Sequence, residues 1–173
     1  HFHRTRRIAF DKADVIVIVG TPFDFRMGYG RRLRADATVA QIDMDYRTVG
    51  KNRDISLGLV GDIGRVLSDV LVATTGTTDN GATKRQAWLD ELRAAEKVAY
   101  EKLIPAFTSE NVPINPYRVA YELNEFLTDD TIYIGDGGDV VTISAQAVQP
   151  HQPGHWMDPG PLGTLGVGVP FAM

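Results

Sequence analysis

One run of the sequence limits the fold more than any other. Val15-Ile-Val-Ile-Val19 is apolar and β-branched throughout, and it ends at Gly20. A strand of this kind is typical of a parallel sheet, where both faces are buried. Thr38–Asp43 and Leu57–Gly61 predict two more strands, and the apolar spacing over 63–72 predicts an amphipathic helix. Because strand, loop and helix alternate, this part of the chain predicts an α/β layer structure.

A second set of elements is predicted further along the chain. The small polar residues of 73–82 predict a flexible connection, and strong helix formers over 84–104 predict a long helix. Asn115-Pro116 is a good helix start, Thr131–Gly135 predicts another buried strand, and 140–148 predicts the helix that follows. The positions expected to face inward are Trp88, Leu92, Ala95, Ala99 and Leu103 on the long helix, and Val119, Leu123, Phe126 and Leu127 after Asn115.

Composition excludes several classes of function. The net charge is −4 at pH 7 despite local arginine clusters near residues 4–7 and 31–34, which argues against nucleic-acid binding. The absence of cysteine excludes disulfides and thiolate metal sites. No apolar run reaches the roughly 18 residues of a membrane span, and no signal peptide is visible, so we expect a cytoplasmic protein without membrane contact. His151 and His155 lie among proline and glycine, which favours exposed loop histidines over a metal site.

Two glycine-rich turns lie where chemistry is expected. Asp136-Gly-Gly-Asp139 follows a predicted buried strand, where ligands of open α/β sheets gather, although Asp136 or Asp139 could instead cap the next helix. The second turn, residues 160–168, precedes the start of a short apolar helix. Backbone N–H groups that glycines leave uncovered at such a helix start suit a phosphate. Both turns can face one ligand with a phosphate tail. The N–H groups expected to be open are those of Gly160, Gly163, Gly166 and Gly168.

These residues resemble a known family. Residues 115–173 resemble the start of the pyrophosphate-binding domain of thiamine-diphosphate enzymes of the acetolactate synthase type. Residues 1–72 resemble the second half of that family's central domain, and 73–114 would be the linker and connecting helix. 2-Hydroxyacyl-CoA lyase and oxalyl-CoA decarboxylase share this plan. The resemblance implies parts of two Rossmann-like, doubly wound parallel-sheet domains, and it rests on Gly20-Thr-Pro-Phe-Asp24 with Arg26, Gln41-Ile-Asp-Met-Asp45, Val49-Gly-Lys-Asn52 and Val60-Gly-Asp62 in collinear order.

The resemblance also implies site residues. In the central domain a bound FAD or ADP would be lined by Gly20, Thr21, Pro22, Phe23, Asp24, Asp43, Met44, Asp62 and Ile63. Asp43 and Asp62 could instead cap the following helices, and Arg26 could be a diphosphate partner or a surface ion pair. Thiamine diphosphate would be contacted by Gly138, Asp139, Gly163, Thr164 and Leu165. Leu165 would be the apolar wedge under the cofactor ring, or else an ordinary core leucine. Where family members often have Gly-Gln-His, this chain has Gly138-Asp139-Val140.

The activity implied is that of a parent enzyme. It would decarboxylate a 2-keto acid such as pyruvate and join the resulting carbanion to a second carbonyl. The alternatives are a lyase or decarboxylase acting on an acyl-CoA, and a non-catalytic nucleotide-binding module. We expect the chain to be an inactive fragment of a homodimer or homotetramer. The family's Mg²⁺ ligands and catalytic glutamate would lie outside it, so no metal site is assigned.

Overall fold

The computed structural model describes residues 5–77 and 81–173, and the chain divides into two compact units, Thr5–Arg93 and Ala94–Met173. Within the described residues the strands are β1 (Val15–Val19), β2 (Thr38–Asp43), β3 (Leu57–Val60), β4 (Tyr133–Ile134) and β5 (Trp156–Met157). The α-helices are α1 (Arg6–Lys12), α2 (Ile63–Thr74), α3 (Ala82–Glu101), α4 (Ile104–Phe107), α5 (Pro116–Glu122), α6 (Gly138–Ala147) and α7 (Gly168–Ala172). Short 3₁₀ helices cover Phe25–Gly30, Leu123–Phe126 and Gly160–Leu162. The predicted α/β class is confirmed.

The first unit contains a three-stranded parallel sheet in the order β1-β2-β3. The register pairs Val19 with Ile42 and Asp43 with Val60, so the three strands end at one edge. The three predicted strands are confirmed to within a residue. The core lies against one face of the sheet and consists of buried Ile16, Ile18, Phe23, Met27, Leu33 and Val39.

The opposite face of β1 departs from the prediction. Val15, Val17 and Val19 are 59%, 53% and 37% exposed, whereas Ile16 and Ile18 are buried. Burial therefore alternates along the strand with the two-residue period of a pleated backbone. The expectation of a strand buried on both faces is wrong for the described residues, because the loop after β1 covers only one side of it.

The long helix follows its sequence pattern closely. It was expected over 84–104 and spans Ala82–Glu101, while residues 78–80 of the predicted connection lie outside the described part of the chain. From 85 to 103 every residue is exposed except five half-buried positions. These are the five predicted from the apolar spacing, namely Trp88, Leu92, Ala95, Ala99 and Leu103. None of the helices in the described ranges combines the length and apolar character that a membrane crossing requires.

The second unit has a small parallel sheet of β4 and β5, on which Tyr133 and Trp156 stack with ring centroids 4.9 Å apart. Its core gathers around Phe107, Ala120, Ala147 and Val148. As predicted, Asn115 caps α5, accepting a hydrogen bond from the Tyr117 amide at 2.9 Å.

The inward face predicted for α5 is partly wrong. Val119 is 44% and Phe126 77% exposed, whereas Ala120 is buried and Leu127 packs on the core. Leu123 is also exposed, at 37%. The change from α-helix to 3₁₀ helix at Leu123 breaks the 3.6-residue period and accounts for the exposure of Phe126. Val119 lies earlier, within α5, where the neighbouring Ala120 faces the core in its place.

Candidate functional site

The carboxyl edge of the three-stranded sheet brings the predicted nucleotide residues together. Gly20 follows β1 and its amide donates to the Ile42 carbonyl at 2.9 Å, while the Gly61 amide donates to Asp43 O at 3.1 Å. Asp62 comes next and caps α2. Gly20, Asp43 and Asp62 therefore share one edge, as residues at the ends of parallel strands must.

Gly20 is required by packing within the chain. Its φ is +59°, a left-handed conformation that side chains disfavour, and a methyl group there would lie 2.6 Å from Cδ1 of Ile63. The turn thus seats the end of β1 directly against the first residue of α2. Of the residues that follow, Thr21 is half-buried, Pro22 is exposed and Phe23 is fully buried in the core. Phe23 therefore cannot contact a ligand through its ring.

Asp24 and Arg26 form a closed ion pair. The Arg26 Nη2 atom lies 2.8 Å from Asp24 Oδ2, and the backbone amide of Arg26 donates to Asp24 Oδ1 at 2.9 Å. Partial burial works against the charged carboxylate, but the hydrogen bonds from Arg26 outweigh it and lower the pKa of Asp24. Of the two readings of Arg26, the structure supports the ion pair.

Asp43 and Asp62 each use one carboxylate oxygen inside the chain. Asp43 Oδ1 accepts from the Asp45 amide at 2.9 Å, and Asp62 Oδ1 accepts from the Arg65 amide at 2.8 Å as the N-cap of α2. Within residues 5–77 and 81–173, the Oδ2 atom of either residue has no hydrogen-bond partner. Asp62 is therefore a helix cap, whereas Asp43 stabilises the turn after β2 and not a helix. The second carboxylate oxygen of each can still accept a ribose hydroxyl. Met44, beside them, is 67% exposed.

In the second unit, Asp136 joins the two glycine-rich turns. It follows β4, and its Oδ1 accepts from the Gly166 amide at 2.9 Å while its Oδ2 accepts from the Gly168 amide at 3.0 Å. The hydrogen bond from Gly168, and then that from Gly166, lower the pKa of Asp136. The two turns, separated by about thirty residues in sequence, are adjacent in space. Asp136 does not cap α6, whose N-cap Gly137 receives no side-chain hydrogen bond, so the capping alternative is wrong. That Asp136 accepts hydrogen bonds from a ligand stays a prediction.

The expectation of four open N–H groups in the second turn is wrong. Besides Gly166 and Gly168, which donate to Asp136, the Gly160 amide donates to Asp158 Oδ1 at 2.7 Å. The Gly163 amide donates to Gly160 O at 3.3 Å. A carboxylate of the chain occupies the place that was predicted for an anion, because Asp136 can reach these donors directly.

The remaining predicted cofactor residues face open space. Gly138 and Asp139 form the first turn of α6, where helix N–H groups lack intrahelical acceptors. A methyl group at Gly138 would meet no atom within 4 Å, and its φ lies outside the left-handed region. In the second turn Gly163 and Thr164 are exposed, and Leu165 is 71% exposed, so Leu165 is not a core leucine.

The histidines and acidic groups do not assemble a metal centre. Among the described residues, no group of three or more His, Cys, Asp or Glu side chains is arranged to hold a metal ion. His151 is exposed and pairs with Asp129 at 3.0 Å, in agreement with the prediction of a loop histidine. His155 is half-buried, and its Nδ1 has no hydrogen-bond partner.

Sequence reasoning missed how Asp136 acts. In the sequence, Asp136 is an aspartate that follows a strand and precedes a pair of glycines. This pattern is compatible with helix capping and with ligand binding. The partner glycines lie 30 and 32 residues away, so only the three-dimensional arrangement identifies them.

The chain is similar in sequence to known proteins over its whole length. Residues 1–70 match the family model described as thiamine pyrophosphate enzyme, central domain. The whole chain is 36% identical to 2-hydroxyacyl-CoA lyase 2 of Bos taurus, of which it covers 27%, and 37% identical to that of Homo sapiens, with the same coverage. It is 33% identical, over 99% of its length, to a probable acetolactate synthase of Mycobacterium bovis, of which it covers 30%. The chain thus spans less than a third of the length of these curated relatives. Residues 1–70 therefore match that family's central domain, and the chain as a whole is similar to these lyases and to this synthase.

Proposed function

We propose that these residues serve a thiamine-diphosphate-dependent enzyme that makes or breaks a carbon–carbon bond next to a carbonyl group. The observation that carries the proposal is the junction at Asp136, which holds the turn containing Leu165 beside the turn that starts α6. Both turns contain residues that the family resemblance assigns to the cofactor. When bound, thiamine diphosphate supplies the electron sink that such bond cleavage requires.

Gly138 and Leu165 fit this cofactor. Nothing inside the chain requires glycine at 138, since a methyl group there would meet no atom within 4 Å. A ligand that approaches the backbone closely would require it. The first-turn N–H groups of Gly138 and Asp139, at the positive end of the ten-residue helix α6, would donate to a diphosphate. Leu165 would present its exposed side chain to the cofactor ring and fix its orientation by packing.

The strand edge of the first unit fits a nucleotide. Asp43 and Asp62 would offer their second carboxylate oxygens to ribose hydroxyls of FAD or ADP, while their first oxygens keep capping the backbone. Asp24 is held by Arg26 and Phe23 is buried, so we do not assign their side chains to the ligand. The chain spans 27–30% of the length of its relatives, which supports placing the Mg²⁺ ligands outside these 173 residues.

Two reactions fall within the proposed class. One is the decarboxylation of a 2-keto acid such as pyruvate, followed by ligation to a second carbonyl, as the acetolactate synthase relatives suggest by name. The other is cleavage of a 2-hydroxyacyl-CoA. Identity to the lyases ranges from 32% to 37% and identity to the synthases is 33%, so sequence identity does not choose between the two reactions.

The test is an assay of the full-length protein carrying these residues, with thiamine diphosphate and Mg²⁺ present or withheld. Pyruvate and a 2-hydroxyacyl-CoA are supplied in separate arms, and acetolactate or aldehyde is measured. We expect cofactor-dependent turnover in one arm, and none from the 173 residues alone. Turnover without thiamine diphosphate would contradict the proposal.

A matched pair of variants tests the site itself. Gly138→Ala should raise the Kd for thiamine diphosphate about tenfold or more, because the new methyl group blocks close approach to the backbone. Ser68→Ala is the control, since Ser68 is an exposed residue of α2, where alanine also suits the helix. Equal cofactor affinity of the two variants would remove Gly138 from the site.

A further inference from the structure

A cavity in the first unit is lined by arginines that the proposed function does not use. Its volume is about 560 Å³, within the range of small-molecule sites. It lies between α1 and the turn that follows the 3₁₀ helix Phe25–Gly30. We call it the arginine cavity, and its principal lining residues are Arg6, Arg7, Phe10, Arg31, Arg32 and Arg34.

The backbone that carries three of these arginines is held in place. Gly28, Tyr29 and Gly30 have φ values of +58°, +55° and +81°, which turn the chain back toward α1. Leu33 then inserts into the core and is 4% exposed. These features fix the path of the backbone of residues 31–34.

Arg53 fastens the same loop from the other side. Its Nη1 donates to Gly30 O at 2.8 Å and Leu33 O at 3.3 Å, and its Nη2 donates to Arg34 O at 2.8 Å. The Arg34 amide donates to Phe10 O at 2.9 Å, which ties the loop to α1. The arginine side chains thus extend from a backbone that is hydrogen-bonded at several points, so less ordering is needed when they bind a ligand.

The positive charge of the cavity is only partly neutralised. Arg34 pairs with Asp36 at 2.5 Å, and Arg7 lies 3.6 Å from Asp11, the one carboxylate in the lining. Over residues 5–77 and 81–173, Arg31 and Arg32 have no carboxylate partner within 4.0 Å. Burial, and then the like charges of Arg32 and Arg26, lower the pKa of Arg6. An excess of positive charge is therefore concentrated here in a chain whose net charge is −4.

We propose that the arginine cavity binds the phosphate group of a small phosphorylated ligand. Guanidinium groups bind phosphate oxygens with paired, charge-assisted hydrogen bonds, and five arginines line this volume. Phe10 adds an apolar wall, and the volume exceeds that of a phosphate ion, so a phosphate ester of nucleotide size fits. The concave shape and the acidic chain favour a small molecule over nucleic acid. The proposal uses none of the residues at the strand edge or beside Asp136.

Calorimetric titration of the chain with three separate probes tests the proposal. The probes are pyrophosphate, adenosine 3′,5′-bisphosphate and a single-stranded oligonucleotide. Saturable one-site binding of either small probe, weakening as salt is added, is the expected result. Tighter binding of the bisphosphate than of pyrophosphate would identify a nucleotide-type ligand over free phosphate. Preferential binding of the oligonucleotide would overturn the proposal, as would the absence of saturable binding of both small probes at millimolar concentration.

Variants locate the binding. The double variant Arg31→Gln with Arg32→Gln should lose about tenfold or more in affinity, since two charge-assisted contacts are removed. Arg93→Gln is the control, because Arg93 is an exposed arginine of the same unit outside the cavity and pairs with Asp90. An unchanged affinity in the double variant, or an equal loss in the control, would refute the assignment. Shifts of the backbone amide signals of 31–34 when pyrophosphate is added provide a check that needs no variant.

Discussion

At the scale of single residues, Asp136 has the most specific role. Its carboxylate accepts from the amides of Gly166 and Gly168, and these contacts lower its pKa below the ordinary value of about 3.9. A group whose folded-state pKa is lowered stabilises the fold above its unfolded-state pKa. That contribution is lost as the pH falls through the folded-state value.

The expected result is an acid-sensitive junction. The protection factors of the Gly166 and Gly168 amides, measured by NMR relative to the intrinsic exchange rate at each pH, should stay constant from about pH 7 to about pH 5 and fall below about pH 4. Asp136→Asn should speed exchange already at neutral pH, because its amide group brings a donor against an N–H group. Asp139→Asn is the matched control and should exchange like the wild type. Identical pH profiles for wild type and Asp136→Asn would contradict this role.

Replacement of glycine by alanine should change the free energy of unfolding in opposite directions at positions 138 and 135. Gly138→Ala should raise the free energy of unfolding by about 0.5 kcal/mol, since alanine favours the helix and the space is open. Gly135→Ala should lower it, because the new methyl group would lie 3.2 Å from Val141 Cγ2 in a buried site. Urea unfolding of both variants measures this. A destabilised Gly138→Ala would show that the chain itself requires glycine there.

At the scale of elements, the junction between β1 and α2 depends on one close contact. Gly20→Ala should destabilise the chain by about 1–3 kcal/mol, through the positive φ and the overlap with Cδ1 of Ile63. Ile63→Val removes the Cδ1 atom, so the double variant should be less destabilised than the sum of the two single variants. Strict additivity in urea unfolding would show that the contact does not determine the turn.

Two substitutions of Asp62, the N-cap of α2, can distinguish a structural role from ligand binding. Asp62→Ala should lower the free energy of unfolding by about 1 kcal/mol, whereas Asp62→Asn should lower it much less, because asparagine can still accept from the Arg65 amide. If Asp62 also binds a ribose, both variants should weaken FAD or ADP binding in equilibrium dialysis. Undiminished nucleotide binding in both would leave Asp62 as a cap alone.

Elements were predictable where local chemistry decides them. The β-branched run of β1, the Asn115 cap and the five-residue stripe on α3 each follow from short-range spacing, and the structure has all three. The exposure of Phe126 was not predictable, because the change to 3₁₀ helix at Leu123 altered the period after α5. The N–H groups of Gly166 and Gly168 were expected to be open because their acceptor, Asp136, is distant in sequence.

At the scale of the molecule, sequence similarity and site geometry concern different parts of the chain. The family model covers residues 1–70, whereas the junction at Asp136 lies beyond them, in the part whose similarity rests on full-length relatives. Sequence similarity supports the proposed cofactor class, and the structure adds that the two turns predicted to contact the cofactor are joined through Asp136. The central claim is therefore that one diphosphate-bearing cofactor lies against both turns.

The most direct measurement is a crystal structure of the full-length protein with thiamine diphosphate and Mg²⁺. We predict that the diphosphate lies within hydrogen-bonding distance of the first-turn amides of α6, and that Leu165 contacts the cofactor ring. Asp136 should still accept from Gly166 and Gly168. A cofactor bound away from either turn, or a bound state in which the two turns have separated, would contradict the account.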